Sequence, residues 1–327
     1  MRRLLLLLLA GALALAGAFA VFGVQLRPVD GAAASQIVVI PRGASVTAIG
    51  ERLGASGLIR SPAAFIVAAR LRGVSARLQS GEYALSPAMS TLEILDRLTR
   101  GQVLLHRVTI PEGYTTAQIA RALAGRTLAD RAAFERTARR EGGRFPHAWL
   151  GGRVDLEGYL FPDTYLLPRG LPPGDILARF LARFEERVVP GSLPQDATIT
   201  LHEAVIIASM IEREARLPAE RPVIAGVITN RLKRGWPLEI DATVLYALGR
   251  TSGPLTTADL QVDSPYNTYR RPGLPLGPIC NPGLAAIAAA LRPARVPYVF
   301  YVLRPDGSHE FSRTFEEHQR AMRRFRP

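Results

Sequence analysis

The chain has 327 residues and a net charge of +13, and Lys233 is the only lysine among its 41 basic residues. This length accommodates a membrane segment and two modest domains. The arginines are scattered and have no aromatic platform between them, which argues against a nucleic-acid partner and favours an anionic membrane surface or cell-wall polymer.

The composition also disfavours cofactor chemistry. A single cysteine, Cys280, excludes an intrachain disulfide, and the five histidines show neither an H-E-x-x-H pattern nor a cluster with metal-ligand spacing. A pyridoxal-phosphate enzyme needs a Schiff-base lysine, whereas Lys233 lies in the sequence NRLKRG, which is typical of an exposed helix end. We therefore expect neither a metal nor an organic cofactor.

The first predicted element is a membrane helix. Two arginines precede an uncharged apolar run from Leu4 to Leu26, and a helix of this length would span roughly 35 Å, enough for a hydrocarbon core of about 30 Å. Ala18–Ala20 has the small residues of a signal-peptidase site, but the apolar run continues beyond it, which favours an uncleaved signal anchor. The positive-inside rule then places everything after Arg27 on the outer, periplasmic side of the inner membrane.

Residues 1–27 are thus predicted as the cytoplasmic N-terminus and signal anchor, residues 28–36 as a linker, and residues 37–105 as a small α+β module. The module begins with a strand (Ile37–Ile40), a Pro-x-Gly turn and a helix (Ser45–Leu53) capped by Ser45. This beginning resembles a LysM-type glycan-binding module. The alternative interpretation is a packing domain that separates the rest of the chain from the membrane.

Residues 106–327 are predicted to form a larger mixed domain, so that the fold class is α+β. The domain begins with VTIPEGYTTAQIARAL, which repeats the strand–turn–helix pattern of VVIPRGASVTAIGERL in the first module. The segment Leu156–Leu167 interleaves aromatic and polar groups as sugar sites do, although aromatic residues around a proline are also typical of packing corners. The long Pro- and Gly-rich segment Gly253–Gly283 is predicted as a structured binding loop, with Asn281 capping the helix that follows.

A helix predicted over Thr198–Pro218 carries the candidate acids. It begins with a T-x-x-E capping box and is almost wholly apolar in its middle. Two small residues, Ala208 and Ser209, share a face with Glu212 and are expected to leave space beside its carboxylate. Since an apolar wall disfavours the charged form, we expect the pKa of Glu212 to rise toward that of a general acid. The alternative is an ordinary Glu at the solvated end of a buried helix.

Taken in order, these segments resemble the MltG (YceG-like) family of endolytic murein transglycosylases. Ala242 stands where this family usually has proline and Trp236 where methionine is common, which leaves fine substrate preference open. The matching stretches, which cover most of residues 107–327, are EGYLFPDTY, ASMIERE, NRLKRGWPLEIDATVLY, SPYNTYRRPGLPLGPICNPG and GSHEFSRTFEEH.

The resemblance implies that Glu212 is the catalytic acid and that the chain cleaves the MurNAc–GlcNAc β-1,4 bond within glycan strands, leaving a 1,6-anhydro-MurNAc end. One carboxyl would protonate the glycosidic oxygen and then accept the proton of the C6 hydroxyl as that oxygen attacks C1. Glu214 is turned about 200° around the helix and is predicted to be structural. The residues predicted to line the cleft and bind the sugar groups are Glu157, Tyr159, Asp241, Tyr266 and Asn267.

Two alternatives stay open on sequence grounds. A hydrolase would pair Glu212 with a second carboxylate, either Glu157 or Asp241. A non-catalytic wall-binding membrane protein would use only the arginine-rich surface and the LysM-like module. A family role in terminating nascent strands would also imply peptidoglycan synthases as partners, although no segment of the sequence identifies one.

Overall fold

A computed structural model describes residues 2–189 and 199–325 of the chain. The described residues form a mixed α+β fold with an apolar helix at the N-terminus, which confirms the predicted class. The chain divides into two compact units. The N-terminal unit comprises Met1–His106 and Leu166–Gly170, and the larger unit comprises Arg107–Tyr165 and Leu171–Pro327.

The N-terminal helix α1 runs from Arg2 to Gln25. Its segment Leu5–Gln25 has a mean hydropathy of 2.6 and none of it is buried inside the protein. A helix that is apolar on all sides and not covered by protein is compatible with a single-pass membrane anchor. Near its end, Phe22 and Leu26 pack against the core of the N-terminal unit.

The N-terminal unit is built around one antiparallel pair of strands. Its elements are β1 (Gln36–Ile40), α2 (Val46–Ala55), α3 (Pro62–Leu71), β2 (Gly81–Leu85) and α4 (Thr91–Arg100). Strand β1 pairs with β2 so that Gln36 lies opposite Leu85. The predicted cap of α2 is present, because Ser45 Oγ accepts a hydrogen bond from the Ala48 amide. Fully buried side chains such as Phe65 form the core beneath the strands.

Two further strand pairs are present among the described residues, together with eight more helices. Strand β3 pairs with β4, and β5 forms an antiparallel hairpin with β6. The bounds of the elements are β3 (His106–Thr109), α5 (Thr116–Ala124), α6 (Arg131–Arg140), β4 (Thr164–Leu167), α7 (Pro173–Val188), α8 (Leu201–Glu214), α9 (Arg221–Lys233), α10 (Asp241–Ala247), α11 (Leu284–Leu291), β5 (Phe300–Leu303), β6 (His309–Ser312) and α12 (Phe315–Phe325).

Helix α8 is the central element of the larger unit, and every residue from Ala204 to Ile211 is buried. It packs against α9 and α11. The predicted capping box between Thr200 and Glu203 is present in both directions. The helix ends at Glu214, earlier than predicted, because Ala215 adopts an extended conformation. Thr198, at the start of the predicted helix, lies outside the described residues.

The expectation that Ala208 and Ser209 leave open space is wrong. Ser209 Oγ accepts a hydrogen bond from the amide of Ile279 at 3.0 Å, and Cys280 Sγ donates to the carbonyl of Ser209 at 3.3 Å. Small side chains let a neighbouring backbone approach a helix closely. The face that the sequence assigned to an opening therefore holds the end of the long loop.

The predicted helix cap at Asn281 is also wrong. Helix α11 begins at Leu284, with Gly283 at its N-cap position. Asn281 is fully buried, and its side chain instead accepts hydrogen bonds from the amides of Gly158 and Leu160. An Asn amide has donors as well as an acceptor, so this residue can tie several loops together instead of capping one helix.

Candidate functional site

The two acids in the last turn of α8 have different surroundings. Glu212 is anchored on both carboxylate oxygens. Its Oε1 accepts from Nη2 of Arg221 at 3.0 Å, and its Oε2 accepts from the amide of Gly283 at 3.0 Å. The Glu212 side chain is only 7% exposed. Glu212 thus joins the end of α8 to the start of α9 and to the N-cap of α11.

A third carboxylate, Glu112, shares the guanidinium of Arg221 at 3.6 Å. Partial burial and the negative charge of Glu212 raise the pKa of Glu112, while Arg221 acts in the opposite direction. A side chain at Gly283 would collide with the Glu112 carboxylate. Glu112 and Arg221 were not among the predicted site residues. The sequence contains one difference that could have indicated Glu112: the two Pro-x-Gly turns match, but the first has Arg42 where the second has Glu112.

Glu214 faces a cavity of about 270 Å³. Its carboxylate accepts a hydrogen bond from the hydroxyl of Tyr301 at 3.1 Å. Burial raises the pKa of Glu214 to about 7, the negative charge of Asp241 adds to this rise, and the Tyr301 hydrogen bond opposes it. The other residues lining the cavity are Arg231, Leu238, Glu239, Asp241, Tyr269, Val299, Phe300, Tyr301, Val302, His318 and Met322. The cavity is therefore lined by a carboxyl group whose neutral form is favoured by burial.

The cavity wall places a second carboxylate near Glu214. Asp241, at the start of α10, accepts a hydrogen bond from the hydroxyl of Tyr269 at 2.5 Å. Burial and this contact raise the pKa of Tyr269, so that the phenol stays protonated and acts as a donor. Arg231 fixes the neighbouring backbone by donating to the carbonyls of Leu238 and Val299. Polar groups from α8, α9, α10, the long loop and β5 thus converge on one opening.

The loop that contains Tyr269 is stabilised by hydrogen bonds between its own residues. Asn267 is fully buried; its Nδ2 donates to the carbonyls of Leu260 and Val262, and its Oδ1 accepts from the amide of Tyr269. The ring of Tyr266 packs against Tyr246 at 4.9 Å between centroids. Neither Asn267 nor Tyr266 lines the cavity of Glu214. Their contacts are those of residues that shape the loop.

Glu157 and Tyr159 lie beneath the surface. The Glu157 carboxylate accepts from the amide of Thr116, from Asn281 Nδ2 and from the hydroxyl of Tyr246. Burial raises the pKa of Glu157 to about 7. Tyr159 is 1% exposed, and its hydroxyl is within 2.6 Å of a ring nitrogen of His202. The sugar-binding roles of both residues stay predictions, and their burial favours the packing corner that the sequence also allowed.

Of the five predicted sugar-binding residues, only Asp241 lines the cavity of Glu214. Asn267 reaches it indirectly, through the backbone of Tyr269. Glu212 and Glu214 separate as the 200° rotation predicts: Glu212 bonds to Arg221 and to the Gly283 amide, whereas Glu214 lines the cavity. The assignment of the general acid to Glu212 stays a prediction.

Comparison with known proteins agrees with this architecture. A family model described as the YceG-like family matches residues 38–324. A Bacillus subtilis protein named endolytic murein transglycosylase is 33% identical, over 96% of this chain and 91% of its own length. A protein of the same name from Streptococcus pneumoniae strain D39 is 30% identical over 94% of this chain, which spans 62% of that relative.

A solved structure extends the similarity to the fold. The crystal structure of a yceG-like protein from Listeria monocytogenes matches with a TM-score of 0.57 and 30% identity. The match covers 89% of this chain and 100% of the Listeria chain. The family model spans nearly the whole sequence after the apolar helix, and the chain belongs to the YceG-like (MltG) family.

Proposed function

We propose that the protein is an endolytic murein transglycosylase. It would cleave the MurNAc–GlcNAc β-1,4 bond within peptidoglycan strands and leave a 1,6-anhydro-MurNAc end. The names of the relatives support the activity. The single observation in the fold that supports the chemistry is Glu214, a carboxyl group of raised pKa that lines a polar cavity.

In the proposed mechanism Glu214 acts first as an acid and then as a base. Its proton goes to the glycosidic oxygen as the C1–O4 bond breaks, and the Glu214 carboxylate then accepts the proton of the C6 hydroxyl. The C6 oxygen forms the new bond to C1, so no water is consumed. A pKa of about 7 suits both steps, because each protonation state is accessible near neutral pH.

Glu212 is assigned a positioning role in this proposal. Both of its carboxylate oxygens are engaged by the protein, one by Arg221 and one by the Gly283 amide. Glu214 also accepts two hydrogen bonds, from the hydroxyl of Tyr301 and the amide of Ala242, but it lines the cavity, and Glu212 does not. The assignment of the acid to Glu212, which the sequence favours, is the competing hypothesis, and the variants described below separate the two.

A hydrolase is the second candidate, and Asp241 is the observation that favours it. Asp241 lines the same cavity as Glu214, and hydrolysis of a glycosidic bond normally requires two carboxyl groups. In the transglycosylase proposal Asp241 and Tyr269 instead hold hydroxyl or N-acetyl groups of the sugar. The products distinguish the two, because hydrolysis adds one water and the anhydro end lacks it.

The test is digestion of purified peptidoglycan by the full chain, with product masses measured by mass spectrometry. We expect anhydro-ended products from the wild type and from D241N, and a loss of about 10²- to 10⁴-fold in E214Q. E212Q keeps the shape of the side chain but loses a charge-assisted hydrogen bond of about 1.5–3 kcal/mol. We therefore expect E212Q to lower the free energy of unfolding more than it lowers the cleavage rate of the folded protein.

Hydrated products would establish the hydrolase. Wild-type activity in E214Q together with loss in a folded E212Q would return the acid to Glu212. Loss in both variants, with both folded, would show that the two carboxyls act together.

The setting of this activity is also part of the proposal. Helix α1 would anchor the protein in the inner membrane, with both compact units on the outer side. The supporting observations are the apolar surface of α1 and the two arginines at its start. The strand, turn and helix that resemble a LysM-type module are β1, the Pro41–Gly43 turn and α2, and this module would hold glycan. Peptidoglycan synthases are proposed as partners on the family role alone.

A further inference from the structure

An aromatic cluster adjoins the cavity of Glu214. Phe300 and His318 line the cavity, and their rings stack at 4.9 Å between centroids. Phe300 also contacts Trp236 at 6.0 Å and Phe315 at 5.9 Å. We call Trp236, Phe300 and Phe315 the aromatic platform. Since Phe300 belongs to both, the platform is continuous with the cavity.

The outer members of the platform are open to solvent. Trp236 is 38% exposed and Phe315 is 56% exposed. Phe300 is more covered, with the guanidinium of Arg231 at 4.9 Å from its ring centre. The guanidinium of Arg234 lies 5.0 Å from the ring of Trp236. Large exposed aromatic rings that are held in place beside a polar cavity are typical of a ligand-binding surface.

The position and chemistry of the platform indicate its occupant. A substrate in the cavity that is one unit of a long glycan strand must continue out of the opening. Pyranose rings have apolar C–H faces that pack on aromatic rings, while their hydroxyl groups stay in water. The exposed guanidinium of Arg234 adds donors for the polar edges of the sugar. Isolated apolar residues would not provide this combination.

We propose that the aromatic platform is a subsite that binds a sugar ring of the glycan strand beyond the unit held in the cavity. This proposal rests on the proposed function, because it takes the strand in the cavity to be peptidoglycan. The platform would favour strands over short fragments. It would act on binding of the strand and leave the chemical step at Glu214 unchanged.

The sequence offers a direct probe, because Trp236 is one of only two tryptophans. The other, Trp149, is stacked against Phe184 at 5.0 Å. In the full chain carrying W149F, the fluorescence therefore reports on Trp236 alone. Titration with soluble glycan strands, released from peptidoglycan by an amidase, should change this fluorescence saturably. An unchanged signal while the strands bind would overturn the proposal.

Variants measure the contribution of the platform. We expect W236A to bind strands about 3- to 10-fold more weakly, which corresponds to one aromatic contact. W236F should retain most of the binding, and V154A, which removes an exposed apolar side chain outside the platform (56% exposed), should have no effect. In cleavage assays the loss in W236A should be in KM, with kcat retained. Equal KM values for W236A and the wild type on long strands would contradict the subsite.

The two proposals fail in different ways. A saturable Trp236 response without anhydro products would support the subsite and contradict the transglycosylase activity. Anhydro products formed by W236A with wild-type KM would support the transglycosylase activity and contradict the subsite. A folded W236A protein can be recognised by an unchanged unfolding temperature.

Discussion

Two carboxyl groups that are two residues apart acquire different chemistry because a helix turns them to different neighbours. Glu212 meets a guanidinium and a peptide N–H, which are strong partners for an ionised carboxylate. Glu214 meets the hydroxyl of Tyr301 and the amide of Ala242, and it lines the cavity. The E-x-E spacing alone therefore does not describe the different surroundings of the two carboxyls, and our proposal places the acid at the one that lines the cavity.

The pH dependence of cleavage follows from the environment of Glu214. The acid must be protonated to act, and burial raises its pKa to about 7, so we expect kcat to fall as the pH rises through about 7. The hydroxyl of Tyr301 stabilises the charged form and lowers this pKa. Removing it in Y301F should raise the pKa and move the fall in kcat to higher pH.

The measurement is kcat against pH for the wild type and Y301F, with E212Q compared where it is active. Y301F also removes a buried hydroxyl, so its unfolding temperature is measured in parallel. A fall that stays at the same pH in a folded Y301F, or moves to lower pH, would contradict the assignment of the acid to Glu214.

At the residue scale the sequence predicted the helix that carries both carboxyls, while the assignment of the acid to Glu212 came from the family resemblance and stays a prediction. Local features such as the capping box and the apolar middle of α8 depend on residues within a few positions, so the pattern contains them. Arg221, Gly283 and Glu112 reach Glu212 through tertiary packing of segments up to 100 residues apart. Such tertiary contacts leave no local pattern in the sequence, so the pattern alone does not choose between the two acids.

At the scale of elements, most helices and strands formed close to where periodicity and caps predicted them. The exceptions lie where a distant segment supplies the partner. Asn281 is a residue type that often caps helices, yet its side chain accepts hydrogen bonds from the amides of Gly158 and Leu160. Ser209 is small enough to leave space on its helix face, yet its hydroxyl accepts a hydrogen bond from the Ile279 amide. In both cases a small polar side chain bonds to a distant segment, and the local sequence does not show that partner.

Close packing between elements gives a stability prediction at Gly226 in α9. A Cβ on Gly226 would lie about 2.7 Å from a side-chain carbon of Val296, and it would lie closer still to the carbonyl of Ala294. Because the backbone oxygen cannot move freely, G226A should destabilise the fold by about 1–3 kcal/mol. The measurement is the free energy of unfolding in urea.

The matched control is G174A, near the start of α7, where a Cβ would meet nothing within 4 Å. Alanine has a better helix propensity than glycine, so G174A should be neutral or more stable by up to about 1 kcal/mol. If G226A were as stable as G174A, the backbone at Ala294 would have to shift easily, and the close packing of α9 against that segment would not be a constraint.

At the scale of the whole molecule, the apolar helix is compatible with a single-pass membrane anchor, and a net charge of +13 favours an anionic partner. The larger unit contains the polar cavity, the aromatic platform and the buried carboxyl network of Glu157. The N-terminal unit contains α1 and the module that resembles LysM. The net charge alone does not separate a binding protein from an enzyme; the names of the relatives favour an enzyme, and we propose the cavity of Glu214 as its site.

The membrane anchor yields the last prediction. Leu13 and Leu15 lie in the middle of α1 and are 66% and 62% exposed. An arginine at the centre of a membrane helix costs about 2.5–3.5 kcal/mol on insertion scales, so L13R/L15R should weaken insertion strongly. We expect the wild-type chain to stay with membranes after alkaline carbonate extraction, and the double variant to be released.

The control is L5R, close to the end of the apolar segment, where a long arginine side chain can reach the polar surface and should be tolerated. Protease added to spheroplasts then tests the side of the membrane, because the compact units should be digested only if they lie outside. Release of the wild type by carbonate would exclude the anchor. Retention of the wild type with full protection from protease would instead reverse the orientation, and the cavity of Glu214 would then face a compartment that holds no assembled glycan strand.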